Sequence, residues 1–165
     1  MTRESLDISA LEARLVRLEE AQRQQQDLRA IEQLRYRYWY ALLDKDVDEF
    51  VTCFTEDAFL EYGFDIELRG KEAIREFFAN LLLAETLVRQ VPRGTNPQLA
   101  LVSETEARGR WLVEVAITRK QQEFGTRVSV QYDEVYRKAE DDWRVSYIKN
   151  EYLGFEQFTL KSDPF

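Results

Sequence analysis

The chain of 165 residues carries a net charge of −8, is 44% hydrophobic and 13% aromatic, and contains one cysteine, Cys53, and no histidine. A chain of this length forms one domain with a substantial core, and its apolar content excludes a disordered protein. The negative charge argues against nucleic acid as a partner, because phosphate binding requires a basic face. Without histidine, a Ser-His-Asp triad, a Cys-His pair and the usual zinc sites are excluded.

Nothing in the sequence predicts a membrane segment or a bound metal. The N-terminal stretch is acidic and amphipathic and lacks the apolar core of a signal peptide. No run approaches the roughly 18 apolar residues of a membrane span. One cysteine allows no internal disulfide, which is typical of a reducing compartment. We therefore expect a cytoplasmic protein with no membrane partner. Because no Asp/Asn loop spacing indicates a calcium or magnesium site, we also expect no metal and no organic cofactor.

The first predicted element is an amphipathic helical arm over residues 1–26. Its apolar stripe follows 3-4-3 spacing and consists of Ile8, Leu11, Leu15 and Leu18. The same register then meets Gln22 and Gln25, so a coiled coil here would be barely two heptads long. We expect the arm to pack on the domain or on a sister subunit.

A second predicted helix begins at Leu28, and it is apolar on two sides near its C-terminal end. One stripe comprises Leu28, Ile31, Leu34, Tyr38 and Leu42, and the opposite side carries Tyr36, Tyr40, Leu43 and Asp44. This pattern predicts burial on both sides, with one side lining a cavity. A capping box from Asp46 to Glu49 then predicts a short helix.

The rest of the chain predicts a strand pair, a third helix and a run of strands. "AFLEYGFDIELRG" has the pattern of strand, turn and strand, and "GKEAIREFFANLLLAE" that of a helix. After Glu85 the chain becomes β-branched and aromatic, with long strands predicted at 105–119, 126–138 and 143–154. Helices followed by hairpin-connected strands indicate an α+β fold with one antiparallel sheet. Because long strands coil, the sheet should form a hollow cone over residues 27–155, followed by a tail at 156–165.

This order of elements and four local sequences resemble the nuclear-transport-factor-2-like superfamily. The four sequences are "ALLDKDVDEFVTCFTEDA", "LRGKEAIREFF", "RGTNPQLALVSETEARGRW" and "QYDEVYRKAEDDWRVS". The chain is most similar to the SnoaL-like branch of polyketide cyclases, scytalone and bile-acid dehydratases and hexachlorocyclohexane dehydrochlorinase. The resemblance implies a cystatin-like cone, an α+β barrel whose open end holds a small hydrophobic or aromatic molecule. It also implies a homo-oligomer, either a trimer or a dimer.

The resemblance further implies a catalytic position and a departure from it. Enzymes of this branch share a histidine–aspartate dyad, and "ALLD" places Asp44 at the position of the aspartate. A supplementary residue lies five positions earlier, which here is Trp39. The position of the histidine is occupied by Pro92 or Arg93. The aspartate is therefore retained and the histidine is absent.

Three interpretations of Asp44 remain open at this point: a solvated carboxylate, a buried acid with a raised pKa, or a partner of Arg93. An aspartate can act as base when a tyrosine stabilises the enol oxygen, as in the ketosteroid isomerase example. Tyr40, Tyr62 and Tyr147 are candidate donors, although each could equally be a core residue.

Other candidates for the pocket follow from strand alternation. Trp111 shares a strand face with Gly109 and Val113, so it fills the core or lines the pocket, whereas Arg110 lies on the other face. Asp133 faces opposite to Tyr132 and is either solvent-facing or a second pocket carboxylate. Tyr36 and Trp39 are further candidates for contact with the ligand.

The sequence thus predicts a cofactor-independent lyase or isomerase that abstracts a proton from a hydrophobic substrate. Asp44 would be the base, with Tyr40, Tyr62 and Arg93 orienting the substrate or stabilising charge. The competing hypothesis is a catalytically silent member that binds a hydrophobic ligand or acts as an oligomerisation module, because the histidine is absent.

Overall fold

The α+β architecture predicted from the sequence is confirmed by a computed structural model, which describes residues 8–160. The helices are α1 (Ile8–Asp44), α2 (Val47–Thr52) and α3 (Lys71–Leu82). The strands are β1 (Phe54–Glu61), β2 (Glu67–Arg69), β3 (Leu87–Leu101), β4 (Glu106–Arg119), β5 (Phe124–Ala139) and β6 (Asp142–Thr159). Residues 1–7 of the predicted arm and 161–165 of the predicted tail lie outside the described range. Within residues 8–160, no helix is both long enough and apolar enough to cross a membrane.

All six strands form one sheet in the order β2-β1-β6-β5-β4-β3. β1 runs parallel to β6, and the other neighbouring pairs are antiparallel. Strands β3 to β6 are 14 to 18 residues long, well above the usual five or six, and strands of this length coil. The sheet curls around the C-terminal half of α1 without closing, and β2 and β3 form its two edges. The cone predicted from the sequence is therefore present as an open, curved, mixed sheet.

Residues 8–44 form one helix where the sequence analysis expects an arm and a separate helix. Gln22 and Gln25 interrupt the apolar stripe, but both residues favour helix, so the backbone continues through them. The expected tail is also shorter, because β6 extends to Thr159 and pairs there with Phe124. One half of the predicted capping box is present, since the Asp46 side chain accepts a hydrogen bond from the backbone nitrogen of Glu49 at 2.9 Å. The Asp46 backbone nitrogen donates to the Ala41 carbonyl and not to Glu49.

The core lies between the concave face of the sheet and the stripe of α1 that begins at Ile31. Ile31, Leu34, Tyr38 and Leu42 are all buried, and they belong to one core cluster with the inward residues of β4 and β5. The inward residues alternate along both strands, as the pleat requires. They are Ala107, Gly109, Trp111, Val113 and Val115 on β4 and Val128, Val130, Tyr132, Glu134 and Tyr136 on β5. The predicted inward position of Trp111 is thereby confirmed.

Candidate functional site

Asp44 is exposed at the C-terminal end of α1, so the expectation that it is a buried acid is wrong. The physical reason is the rotation of the helix. Leu42 faces the core, and two residues of helix turn the side chain at position 44 by about 200°, away from the sheet. Tyr36 and Tyr40 point outward by the same geometry, and Tyr40 is 66% exposed. The expectation of burial on both sides of this helix is therefore also corrected.

Four of the candidates meet in a groove on the outside of the cone. We call it the outer groove: it has a volume of about 370 Å³ between α1 and β3 and is lined by Tyr36, Trp39, Tyr40, Leu43, Val91, Pro92, Arg93 and Gly94. Arg93 is exposed, and its partner among the ion pairs of residues 8–160 is Glu114 on β4, at 3.7 Å. The pairing of Arg93 with Asp44, one of the open interpretations, is thus replaced by a pairing with Glu114.

Trp39 separates the outer groove from the interior of the cone. Its ring packs directly on the backbone of β3, where a Cβ added at Gly94 would lie 1.9 Å from Trp39 Cη2. The inner side of the ring meets Trp111 edge-on, with centroids 5.1 Å apart. The guanidinium carbon of Arg35 lies 4.8 Å from the centroid of Trp39. One indole ring therefore stands between the groove and the buried charge behind it.

The interior holds a group of polar side chains that we call the central cluster: Arg35, Tyr38, Tyr62, Tyr132, Glu134 and Tyr136. Arg35 Nη2 lies 3.2 Å from Glu134 Oε1, and both side chains are fully buried. Tyr136 donates a hydrogen bond to the other oxygen of Glu134. Trp111 Nε1 in turn donates to the Tyr136 hydroxyl at 2.9 Å. These contacts place a carboxylate, a guanidinium and a chain of donors at the centre of the fold.

Three tyrosine hydroxyls of the central cluster meet beside this ion pair. The Tyr62 hydroxyl lies 3.5 Å from that of Tyr38 and 3.3 Å from that of Tyr132. The Arg35 guanidinium sits 3.9 Å above the ring of Tyr38. Tyr62, one of the predicted donors, lies in the interior, where it meets Tyr38 and Tyr132 and not Asp44.

Several polar atoms around the central cluster have no hydrogen-bond partner among the described residues. They are Nε, Nη1 and Nη2 of Arg35, Oε1 of Glu134, Nε1 of Trp39 and both amide atoms of Asn150. The contact between Arg35 and Glu134 is thus an ion pair without hydrogen-bond geometry. Buried polar atoms are nearly always partnered, and leaving one unpaired costs roughly 1–3 kcal/mol. So many unpaired atoms in one place mark the cluster as a candidate site.

Burial governs the protonation of the cluster. It raises the pKa of Glu134, and Arg35 and Tyr136 offset this only in part. Burial also raises the pKa of Tyr62, Tyr132 and Tyr136 well above the ordinary value, so these hydroxyls stay protonated at neutral pH. Burial lowers the pKa of Arg35, but Glu134 and the neighbouring tyrosines together outweigh it and the net shift is upward. The cluster therefore combines a fixed cation with a carboxyl whose pKa is moved toward neutrality.

Asp133 is one of the predicted pocket candidates, but the carboxylate that lies in the interior is that of its neighbour Glu134. Asp133 points outward and accepts a hydrogen bond from Arg110 Nε at 2.7 Å. The alternation through Val130 and Tyr132 marked position 134 as inward, and this signal was available in the sequence. Arg35 was also missed. It lies on the buried stripe of α1, one turn after Ile31, where a charged residue is unexpected.

Tyr147 does not belong to the cluster. Its ring lies on the opposite face of the sheet, with its centroid 5.9 Å from that of Phe59. Burial, and to a smaller extent the nearby Glu61, raises the pKa of Tyr147 to about 12. Cys53, in contrast, is fully buried, as expected of an unreactive core thiol. Within residues 8–160, no three His, Cys, Asp or Glu side chains converge in a way that could hold a metal ion.

Comparisons with known proteins agree with this architecture. A proposed scytalone dehydratase from Novosphingobium aromaticivorans is 19% identical, with 86% of this chain and 93% of that chain covered and a TM-score of 0.78. A type 3 hexachlorocyclohexane dehydrochlorinase from Novosphingobium barchaimii is 16% identical, with coverages of 88% and 97% and a TM-score of 0.75. A protein with a cystatin-like fold from Caulobacter vibrioides is 14% identical, with coverages of 78% and 91% and a TM-score of 0.66.

At these identities the solved structures establish the fold alone. A family model goes further, because the one described as the SnoaL-like domain matches residues 23–149, which is most of the chain. The sequence motifs, the curved sheet around α1 and this match agree, and the chain belongs to the SnoaL-like family.

Proposed function

We propose that this protein is a lyase or isomerase that acts on a small hydrophobic molecule inside the cone, with Glu134 as the proton-transferring group. The observation that carries the proposal is the buried pair of Arg35 and Glu134, in which the three guanidinium nitrogens and Oε1 of Glu134 have no hydrogen-bond partner among the described residues. Family membership and the dehydratase and dehydrochlorinase neighbours support the same class of reaction. No metal or organic cofactor is needed, since both the base and the cation are side chains.

The proposed chemistry uses each part of the central cluster. Glu134 takes a proton from a carbon next to a carbonyl, and the electron pair of the broken C–H bond moves into the carbonyl to form an enolate. Arg35 and the protonated tyrosines stabilise the negative charge that develops on the oxygen. When a leaving group departs from the adjacent carbon, the electrons return, a double bond forms and Glu134 gives its proton to the leaving group. A raised pKa suits Glu134 to both transfers.

Access to the cluster runs through the outer groove. Its lining is largely apolar and includes three aromatic rings, and Trp39 forms both its floor and the wall of the cluster. In this proposal the ligand first contacts Tyr36, Tyr40 and Arg93, and Trp39 must rotate before the ligand reaches Arg35. Asp44 takes no part, because its side chain points away from the interior.

A matched pair of neighbouring substitutions tests the proposal. A panel of neutral aromatic and terpenoid carbonyl and hydroxy compounds is screened for binding by thermal shift and for elimination or isomerisation by mass spectrometry and absorbance. On any compound turned over, Glu134→Gln is expected to lower kcat by about 10²- to 10⁴-fold, the usual contribution of a general base. Asp133→Asn, one residue away on the outer face, is expected to leave kcat unchanged. Full activity in Glu134→Gln would exclude Glu134 as the base.

Two controls separate catalysis from folding. Circular dichroism and thermal unfolding show whether Glu134→Gln keeps the fold, which is expected because glutamine has the same size and can still accept a hydrogen bond from Tyr136. Glu134→Asp keeps the charge but withdraws the carboxylate by one methylene, so it should fold and retain partial activity. Equal loss in Glu134→Asp, Glu134→Gln and Asp133→Asn would show that the effect is not specific to proton transfer.

A second candidate function is a catalytically silent ligand-binding protein. It is favoured by the contact of Trp39 with Trp111, two large rings that fill the space in front of Arg35. The two candidates differ in what a bound compound does. A silent protein would bind an apolar compound in the outer groove and release it unchanged, and the bound compound would quench the fluorescence of Trp39. Wild type and Glu134→Gln would behave alike.

A further inference from the structure

The N-terminal quarter of α1 exposes an apolar stripe that the domain does not cover. Its residues are Ile8, Leu11, Leu15 and Leu18, which are 68%, 49%, 55% and 57% exposed. The later stripe of the same helix, from Ile31 to Leu42, is 0–4% exposed at its apolar positions. We call the first set the arm stripe. One helix thus has a stripe that the sheet buries and a stripe that faces solvent.

The arm stripe lies on a part of the helix that extends away from the sheet. Among residues 8–160, the ion pairs that tie α1 to the sheet begin at Arg23, which pairs with Glu104, and continue with Asp27 and Lys138. At 1.5 Å per residue, the helix before Arg23 projects by about 20 Å. A single helix of this length is marginal in water without a packing partner. Of the two packings expected for the arm, on the domain or on a sister subunit, the first does not apply to these residues.

The spacing of the stripe indicates another helix as the partner. Ile8 and Leu15 occupy a positions of a heptad, and Leu11 and Leu18 occupy d positions. The seam ends where the next a and d positions become Gln22 and Gln25, shortly before α1 meets the sheet. Two heptads of a narrow a/d stripe are the pattern of a coiled-coil seam, since the stripe that faces a globular core is wider.

The flanking charges select the orientation. Arg14 is at position g and Glu19 at position e of the following heptad, and both side chains are exposed. In a parallel pair, g of one helix meets the following e of the other, so Arg14 faces Glu19 of the second helix on both sides. In an antiparallel pair, g meets g and e meets e, which would bring Arg14 against Arg14 and Glu12 against Glu12.

We infer that the arm stripe is the seam of a parallel coiled coil with a second copy of this chain. Within residues 8–21 the one pair of g and following e positions, Arg14 with Glu19, joins opposite charges when an identical helix lies in the parallel orientation. A seam of two heptads buries less than the roughly 1,200 Å² of a stable interface. The pair is therefore weak, and its flanking charges matter to its stability.

Introduced cysteines test the orientation in the full-length protein. Cys53 is buried, so a new thiol on the arm is the reactive one. Leu15→Cys lies in the seam and is expected to form a disulfide-linked dimer under mild oxidation. Ala13→Cys, at position f on the far side of the helix, is the matched control and is expected to stay uncrosslinked. When the Leu11→Cys and Leu15→Cys proteins are mixed, a parallel seam is expected to give disulfides between two copies of the same variant.

Two outcomes of the crosslinking would overturn the inference. Equal crosslinking of Ala13→Cys and Leu15→Cys, or none of either, would mean that no seam exists. A preference for Leu11-to-Leu15 crosslinks would mean an antiparallel pair.

A charge exchange read by light scattering gives an independent check. Glu19→Arg is expected to lower the mass toward that of one chain, and Arg14→Glu combined with Glu19→Arg is expected to restore it. Failure of the double variant to restore the mass also contradicts the inference.

Discussion

At the scale of single residues, one position along a strand decides whether a carboxylate is buried or solvated. Asp133 and Glu134 are consecutive, yet Asp133 pairs with Arg110 at the surface and Glu134 with Arg35 in the core. Successive side chains of a strand point to opposite faces, so a chemically similar residue cannot replace its neighbour. The packing of Trp39 likewise depends on a single residue. Gly94 has no side chain, and this lets the Trp39 ring lie against β3.

Substitution of Gly94 by alanine is expected to displace Trp39. The new Cβ would lie 1.9 Å from Trp39 Cη2, well inside the contact distance, and the ring is the part that can move. Overpacking of this kind costs about 1–3 kcal/mol, and the displaced indole should show red-shifted emission and greater quenching by acrylamide. Gly154→Ala is the control, since nothing lies within 4 Å of a Cβ at that position. Identical spectra for the two variants would contradict the tight packing of Trp39.

At the scale of elements, the placement of α1 depends on a small number of polar contacts at the point where it meets the sheet. Asp27 accepts hydrogen bonds from Trp143 Nε1 at 2.9 Å, and its carboxylate pairs with Lys138 at 2.8 Å. Because Trp143 is on β6 and Lys138 is on β5, one carboxylate connects the helix to two strands. This contact lies between the exposed arm stripe and the buried stripe, and so marks where the helix joins the domain.

Asp27→Asn is expected to lower the free energy of unfolding by about 1–2 kcal/mol near neutral pH, since the charged hydrogen bond to Lys138 is lost. Burial raises the pKa of Asp27, but Lys138 and Trp143 outweigh it and the net shift is downward. The stabilisation is therefore present above the ordinary pKa of an aspartate and is lost as the pH falls through the lowered value.

Chemical denaturation across the acid range should accordingly show the difference between wild type and Asp27→Asn shrinking as the pH falls. Asp57→Asn is the control, because the pair of Asp57 with Arg137 is long, at 3.8 Å, and exposed. A pH-independent difference at Asp27 would contradict the ion-pair origin of the effect.

At the scale of the whole molecule, an open sheet wrapped around one helix encloses a charged pair in an otherwise apolar and aromatic core. The Arg35 and Glu134 side chains are fully buried, and four tyrosines of the central cluster surround them. An apolar pair of similar volume would often be equally or more stable, so an ion pair in this position is better explained by chemistry than by stability.

The stability of the whole protein is expected to reflect the pKa of Glu134. Burial raises this pKa above its ordinary value, so the contribution of Glu134 is greatest below the ordinary pKa and is lost as the pH rises through the raised one. Glu134→Gln cannot titrate. Relative to wild type, its free energy of unfolding should therefore improve as the pH rises over that window, by at most about 1.4 kcal/mol per pH unit.

Equilibrium denaturation of both proteins at several pH values measures this difference, with Asp133→Asn as a comparison that should show no such trend. A change in the opposite direction would mean that the attraction of Arg35 outweighs burial at Glu134.

The sequence by itself determined the order of helices and strands, the α+β class, the family resemblance and the inward face of β4, with Trp111 on it. The elements and the inward face follow from short-range periodicity, since a helix repeats every 3.6 residues and a strand every two. The resemblance rests on four local sequences and on the order of the elements. The start of α2 at Asp46 could equally be predicted from the sequence, because the hydrogen bond from the Glu49 nitrogen to the Asp46 side chain spans only three residues.

Only the tertiary structure decided which polar groups share the interior. Asp44 lies outside because the stripe of α1 that meets the sheet faces the other way, and Arg35 lies inside because it belongs to that stripe. Arg35 and Glu134 are far apart in the chain and meet only when β5 curls over α1. The local sequence pattern does not show the free-energy cost of burying either charge. That cost depends on the oppositely charged partner, which comes close only in the folded protein.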